Sequence, residues 1–173
     1  DYAEIDLSTQ SHPCELTGSL VIDRARGLGF CGLSERWDEE GARLMHEALG
    51  LRATLLFDLA PGEYHANVVL AVLAGRAVIV SERGFADAGV ARAIARFYAP
   101  HAAVLSDEEH EAFAGNAIAL SDDTVWMSAR AAGALSPRTL DVLAGAGFAV
   151  RSVELDAIEA GGGSLRCCVG EIY

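Results

Sequence analysis

Three side chains of the kinds needed for covalent catalysis stand at comparable points along this sequence: Glu15, His65 and Cys167. Glu15 and His65 are 50 residues apart, and Cys167 follows His65 by 102. A thiolate can attack an electrophilic carbon, an imidazole can move protons, and a carboxylate can orient the imidazole or hold the electrophile. Singly, each has a plainer explanation. A cysteine in an apolar strand is ordinarily inert core, and a lone His or Glu is ordinarily structural or solvated. Their shared spacing is what sets these three apart. Cys168, next along the same expected strand, points to the opposite face and is expected in the core. Gly161, Gly162 and Gly163 precede the pair and let the backbone approach a ligand closely.

Other patterns carry less. Gly27-Leu28-Gly29-Phe30-Cys31-Gly32 spells G-x-G-x-x-G, but it lies across a hairpin with no helix immediately after it, and position 52 is Arg where an acidic residue is needed. His12, Cys14, Cys31 and His46 show no paired zinc-type spacing, so no metal is expected. His101 and His110 are expected at the surface.

The elements that must position Glu15, His65 and Cys167 repeat. Gly18–Arg36, Asn67–Arg83 and Asn116–Arg130 each read as an apolar strand, a short turn, a second apolar strand and then Ser-x-Arg, and the closing arginines fall at equal intervals of 47 residues. A helix follows each pair. Asp38 caps the first, with Leu44, Met45, Ala48 and Leu49 on one face and Gly50 as its stop. Val90, Ile94 and Phe97 mark the second up to Pro100. Ser136-Pro137 opens the third, with Leu140 and Leu143 turned inward. A further short strand closes each unit: Arg52–Phe57, His101–Leu105 and Phe148–Val153. The class is therefore α/β, built of ββαβ repeats expected to stand around a pseudo-symmetry axis. The units span about 15–60, 65–107 and 113–158, with the first strand of a fourth over 163–172, all within one domain, 1–173.

Composition narrows the function classes. The chain has 173 residues, 51% of them hydrophobic, enough for one domain with a substantial core. A net charge of −12, with every basic residue an Arg, argues against nucleic acid or an anionic membrane surface as a partner. No apolar run reaches the roughly 20 residues of a membrane span, and four cysteines do not form a secreted disulfide framework, so a cytoplasmic setting with free thiols is expected.

With these residues assembled, the chain resembles the pentein superfamily of guanidine-modifying enzymes: arginine deiminases, dimethylarginine dimethylaminohydrolases and amidinotransferases. Within it the sequence is most similar to the citrulline-utilisation hydrolase type. The motifs are Glu15-Leu16-Thr17-Gly18-Ser19-Leu20-Val21, Gly32-Leu33-Ser34-Glu35-Arg36, Tyr64-His65-Ala66-Asn67-Val68, Phe113-Ala114-Gly115-Asn116 and Gly161-Gly162-Gly163-Ser164-Leu165-Arg166-Cys167. The resemblance implies a propeller of five such units, of which about three and one strand are present, and a hydrolase of C–N bonds in a guanidino or ureido amino acid. It also implies Cys167 as nucleophile, His65 as general acid, Glu15 as their acidic partner, and no cofactor.

Arg36 matches an arginine that grips a substrate carboxylate, although the recurrence of Ser-x-Arg equally suits a structural edge. Asn67 and Gly163 complete the implied substrate contacts. Deiminases carry Asp where this chain has Asn67, and an amide suits a neutral, citrulline-like group better than a cation. Amidino transfer through the same intermediate, or a non-catalytic binding module, are the alternatives. A catalytically retired copy would be expected to have lost the thiol or the imidazole. Because the chain opens on Asp1, further units are expected to precede it and to supply an acidic substrate contact and much of the pocket wall, leaving an open sheet edge here. Self-association into a homo-oligomer is compatible with this reading.

Overall fold

The computed structural model describes residues 4–16 and 18–171; Thr17 of the first motif and position 172 of the expected last strand lie outside them. Among the described residues, nine strands form three separate three-stranded sheets in the order β1-β2-β3, β4-β5-β6 and β7-β8-β9. The first sheet joins β1 (Leu20–Asp23), β2 (Leu28–Leu33) and β3 (Ala53–Asp58). β1 and β2 form an antiparallel hairpin whose tight turn uses Gly27 at φ +66°, and β3 returns parallel to β2 after helix α1 (Glu39–Ala48). Asp38 accepts a 2.7 Å hydrogen bond from the Gly41 N–H, while Glu39 and Glu40 add negative charge where the helix dipole is positive. Gly50, at φ +58°, ends the turn beyond the helix.

The same plan recurs twice. One helical turn, α2 (Ala66–Val69), precedes β4 (Leu70–Leu73) and β5 (Ala77–Val80); α3 (Ala88–Tyr98) then leads to β6 (Ala102–Val104). In the third stretch α4 (Asp107–Glu111) precedes β7 (Ile118–Ala119) and β8 (Thr124–Ser128). Two helices, α5 (Ala129–Ala134) and α6 (Pro137–Gly145), lead to β9 (Ala149–Val153), and α7 (Asp156–Glu159) follows. The sequence predicts one helix here. The second forms because the Ser128 hydroxyl caps the Ala-rich stretch, accepting from the Ala131 N–H, before Pro137 restarts the chain.

The first strands β1, β4 and β7 lie side by side, so the three sheets meet along them. The middle sheet is enclosed by its neighbours. Every residue of β5 is buried, whereas β3 and β9, at the outer edges, leave most of their side chains wet. One core cluster joins Phe30 and Phe57 to Val78, Val80 and Ile94, and another joins Leu73 and Ile79 to Met127 and Leu143. Among the described residues no sheet closes into a ring, and no helix is long and apolar enough to cross a membrane.

Five further expectations change. α3 turns Ala91, Ile94 and Tyr98 inward, not Phe97, which is 55% exposed; the Tyr98 hydroxyl reaches back to buried Asp23 at 2.6 Å and sets the rotation of the helix. α6 buries Thr139 and Leu143 and leaves Leu140 outside. His110 is no surface residue: it is nearly buried, with Nε2 2.9 Å from Glu63 Oε1. The expected strand over 163–172 does not form within the described residues. Leu165–Cys168 make a 3₁₀ turn instead, because the backbone N–H groups of Arg166 and Cys167 that a ladder would need are taken by the Asn116 side chain. Cys168 is consequently exposed rather than core, its thiol donating to the Ser164 carbonyl at 3.4 Å.

Candidate functional site

Glu15, Arg36, His65 with Asn67, and Cys167 come from four separate stretches of chain and meet on one side of the meeting strands. The start of the second unit is held by the first. Gly18 accepts a 2.9 Å hydrogen bond from the Asn67 N–H, and the Ser34 hydroxyl donates to the Tyr64 carbonyl at 3.1 Å. His65, extended at φ −136°, therefore projects just ahead of α2. Its ring lies over Gly18 so closely that a Cβ there would stand 2.2 Å from Nδ1. The ring of Tyr64 packs 4.7 Å from the imidazole, and its hydroxyl donates to the Gly162 carbonyl, joining the histidine to the glycine loop.

Glu15 links two groups. Oε1 is 2.9 Å from His65 Nε2, and Oε2 accepts from the Arg36 guanidinium at 2.9 Å. The His65–Glu15 contact is close enough for an ion pair, yet Nε2 lacks an aligned hydrogen-bond acceptor, so the attraction is chiefly electrostatic. Arg36 stays half-exposed, leaving part of its fork open. The other Ser-x-Arg arginines behave in a related way: Arg83 pairs with Glu111 at 2.8 Å, and Arg130 donates to the Glu111 carbonyl.

Cys167 sits on the 3₁₀ turn beside Gly163, whose added Cβ would make only ordinary contact, 3.5 Å, with Cys167 Cβ. The turn is anchored by Ser164, whose hydroxyl donates to buried Glu159 at 2.7 Å and whose carbonyl accepts from the Cys167 N–H at 3.1 Å. The residue as a whole is exposed, but its sulfur is partly enclosed. Burial pushes the thiol up; hydrogen bonds from His65, the Ser164 backbone and Asn116, with the charge of His65, outweigh it and hold the thiol below its ordinary range. A sulfur so placed is a thiolate over more of the neutral range, next to an imidazole and a carboxylate: the set required for attack and proton transfer at carbon.

Asn116 also reaches the sulfur, although the residue types of the site do not single it out. It is fully buried, and its Nδ2 donates to Cys167 Sγ at 3.2 Å. Its equivalence to Asn67 in the repeat, each opening an apolar strand, was the available signal.

This constellation on this fold defines a class, the pentein superfamily of guanidino-modifying enzymes. The chain belongs to the N,N-dimethylarginine dimethylhydrolase family, whose eukaryotic description matches residues 1–173. Among solved structures, the N-terminal domain of ArgZ bound to product, an arginine dihydrolase from the ornithine–ammonia cycle in cyanobacteria, is similar with a TM-score of 0.73 and 23% identity, over 87% of this chain and 53% of that one. A mutant of AgrE in complex with L-arginine gives 0.73 and 21%, over 86% of this chain and 22% of that one. A dimethylarginine dimethylaminohydrolase adduct with S-methyl-L-thiocitrulline gives 0.63 and 22%, over 87% and 53%. The chain thus spans about half the length of the ArgZ N-terminal domain and of the dimethylarginine dimethylaminohydrolase, and about a fifth of AgrE. No curated protein compared with it matches significantly.

Proposed function

We propose that this protein is a guanidino-group hydrolase acting through a covalent Cys167 intermediate. One observation carries the reading: the Cys167 sulfur is held below its ordinary thiol range by hydrogen bonds, although burial opposes ionisation, with the His65–Glu15 pair beside it.

The thiolate attacks the central carbon of the guanidinium, forming a C–S bond as the C=N π electrons move onto nitrogen. His65 gives a proton to the departing nitrogen, the C–N bond breaks, and an amine leaves behind an S-alkylthiouronium. Water then attacks the same carbon and passes a proton to His65. The C–S bond breaks, returning the thiolate, and the second proton of the attacking water passes to solvent or to the departed amine, leaving a neutral ureido product. Glu15 holds the imidazole for both transfers, and the open part of the Arg36 fork takes the substrate carboxylate. Gly163 keeps the approach to the sulfur free of a side chain. The adjacency of β1, β4 and β7 supports an arrangement of ββαβ units about a common axis, with the site at their convergent ends.

One observation favours a less basic, ureido substrate as a second reading: beside the sulfur stands the neutral amide of Asn67, with Oδ1 3.7 Å from Sγ, where a carboxylate would grip a cation.

The test is covalent labelling with a haloacetamidine, which presents the guanidinium head, followed by mapping of the adduct by mass spectrometry. Selective modification of Cys167, suppressed by arginine-like compounds and lost in Cys167→Ser, is expected. Equal labelling of Cys14 and Cys168 overturns the proposal.

A further inference from the structure

Asn116 holds its side chain in an orientation that the backbone dictates. Its Oδ1 accepts from the Arg166 N–H at 2.9 Å and from the Cys167 N–H at 3.4 Å, and both partners can only donate. The amide nitrogen must therefore face the other way. There it meets acceptors only: the Asn67 carbonyl at 2.8 Å, Asn67 Oδ1 at 3.3 Å and Cys167 Sγ at 3.2 Å. The side chain is wholly enclosed, so these bonds form away from competing water.

The local chain is built to deliver this amide. Phe113 takes φ +64°, the Asn116 N–H turns back onto the Phe113 carbonyl at 2.9 Å, and Gly115 lies so near the second unit that a Cβ would stand 2.2 Å from the Val68 carbonyl oxygen. No larger residue fits at 115 without moving Asn116 away from Asn67 and the sulfur.

From this we infer that Asn116 is a further catalytic residue, its acceptor end fixing the turn that carries Cys167 and its donor end stabilising the negative sulfur before attack and on its release. The inference rests on the reading of Cys167 as nucleophile. It accounts for an amide at this position. A carboxylate could hold the turn but would repel the thiolate, and an aliphatic side chain could do neither.

Asn116→Asp separates the two ends, keeping an acceptor for both backbone N–H groups and removing the donor. The rate of alkylation of Cys167 by iodoacetamide, followed against pH with the adduct mapped by mass spectrometry, reads the thiolate directly and needs no substrate. The midpoint is expected to rise by about one pH unit or more in Asn116→Asp, with thermal melting close to that of the unaltered protein. Asn67→Asp, which adds a charge near the sulfur while keeping the Asn116 donor, is the control for charge and should raise it less. An unmoved midpoint in Asn116→Asp, or a rise no larger than in Asn67→Asp, overturns the inference. Should Asn116→Asp fail to fold, Asn116→Ala gives the same readout without added charge, a rise supporting the role and no rise overturning it. An ordinary thiol midpoint in the unaltered protein would sink the nucleophile reading itself; a low midpoint indifferent to Asn116 would sink this inference alone.

Discussion

At Cys167 two physical effects compete, and their sum decides the chemistry. Partial burial favours the neutral thiol, while hydrogen bonds from His65 and Asn116 favour the thiolate and win. Cys31 shows the first effect without the second: wholly buried in β2, with no donor to offset desolvation, its thiol is pushed up to about 12. Alkylation requires the thiolate, so Cys167 should react at a pH below the ordinary thiol range, its rate rising with pH through that lower midpoint, while Cys31 stays inert at neutrality. At Asn67, a carboxylate in place of the amide would face the guanidinium of a bound cation. Asn67→Asp should therefore shift the ratio of kcat/KM for arginine-like over citrulline-like compounds upward by ten-fold or more, about 1.4 kcal/mol. A ratio unchanged in steady-state assays of the two substrate types would remove Asn67 from substrate choice.

Helix and loop geometry place those groups, and two glycines show how differently one residue type can act. Gly18 leaves room for the His65 ring; an added methyl group would collide with Nδ1 at 2.2 Å, and the ring must then move off Glu15. Gly18→Ala is expected to cost at least ten-fold in the Cys167 alkylation rate near neutrality while the chain still folds, measured beside circular dichroism. Gly133, exposed in α5, has nothing within 4 Å of an added Cβ and no unusual φ. Gly133→Ala should stabilise the protein by about 0.5–1 kcal/mol through helix propensity alone, read from chemical denaturation, with the alkylation profile unchanged.

Across the whole molecule the three sheets depend on polar as well as apolar joints. Asp23 of β1 is fully buried and accepts from the Tyr98 hydroxyl of α3 at 2.6 Å and from Arg26 at 2.8 Å, so the first unit is fastened to the second by a charged group removed from water. Burial, together with the bond to Asp23, drives the Tyr98 phenol well above its ordinary range, which keeps it a donor. Tyr98→Phe deletes the donor and keeps the ring. The expected loss is about 2 kcal/mol, a fall in Tm of roughly 4–8 °C for a domain of this size, with no shift in the Cys167 midpoint because the contact is remote from the sulfur. A Tm within a degree of the unaltered protein would show that Arg26 alone satisfies the carboxylate.

Local patterns in the sequence determined the elements. The equal spacing of Arg36, Arg83 and Arg130 exposed the repeated plan. Alternating apolar runs with short turns made the hairpins, and Asp38 and Ser136-Pro137 set helix starts, because each of these depends only on residues a few positions apart. Repeat phase also singled out Glu15, His65 and Cys167, and the resemblance added Asn67; the structure gathers all four. What lay beyond it were choices made by partners distant along the chain. Tyr98 rather than Phe97 faces inward because Asp23 is 75 residues away and needs a donor. His110 is enclosed beside Glu63, which lies 47 residues earlier in the chain. Leu165–Cys168 reads as a strand by pattern, yet Asn116, about one repeat earlier, captures its backbone N–H groups and bends it into the turn that presents the sulfur. A hydrogen bond between remote residues leaves no periodicity behind, so only the tertiary structure decided it.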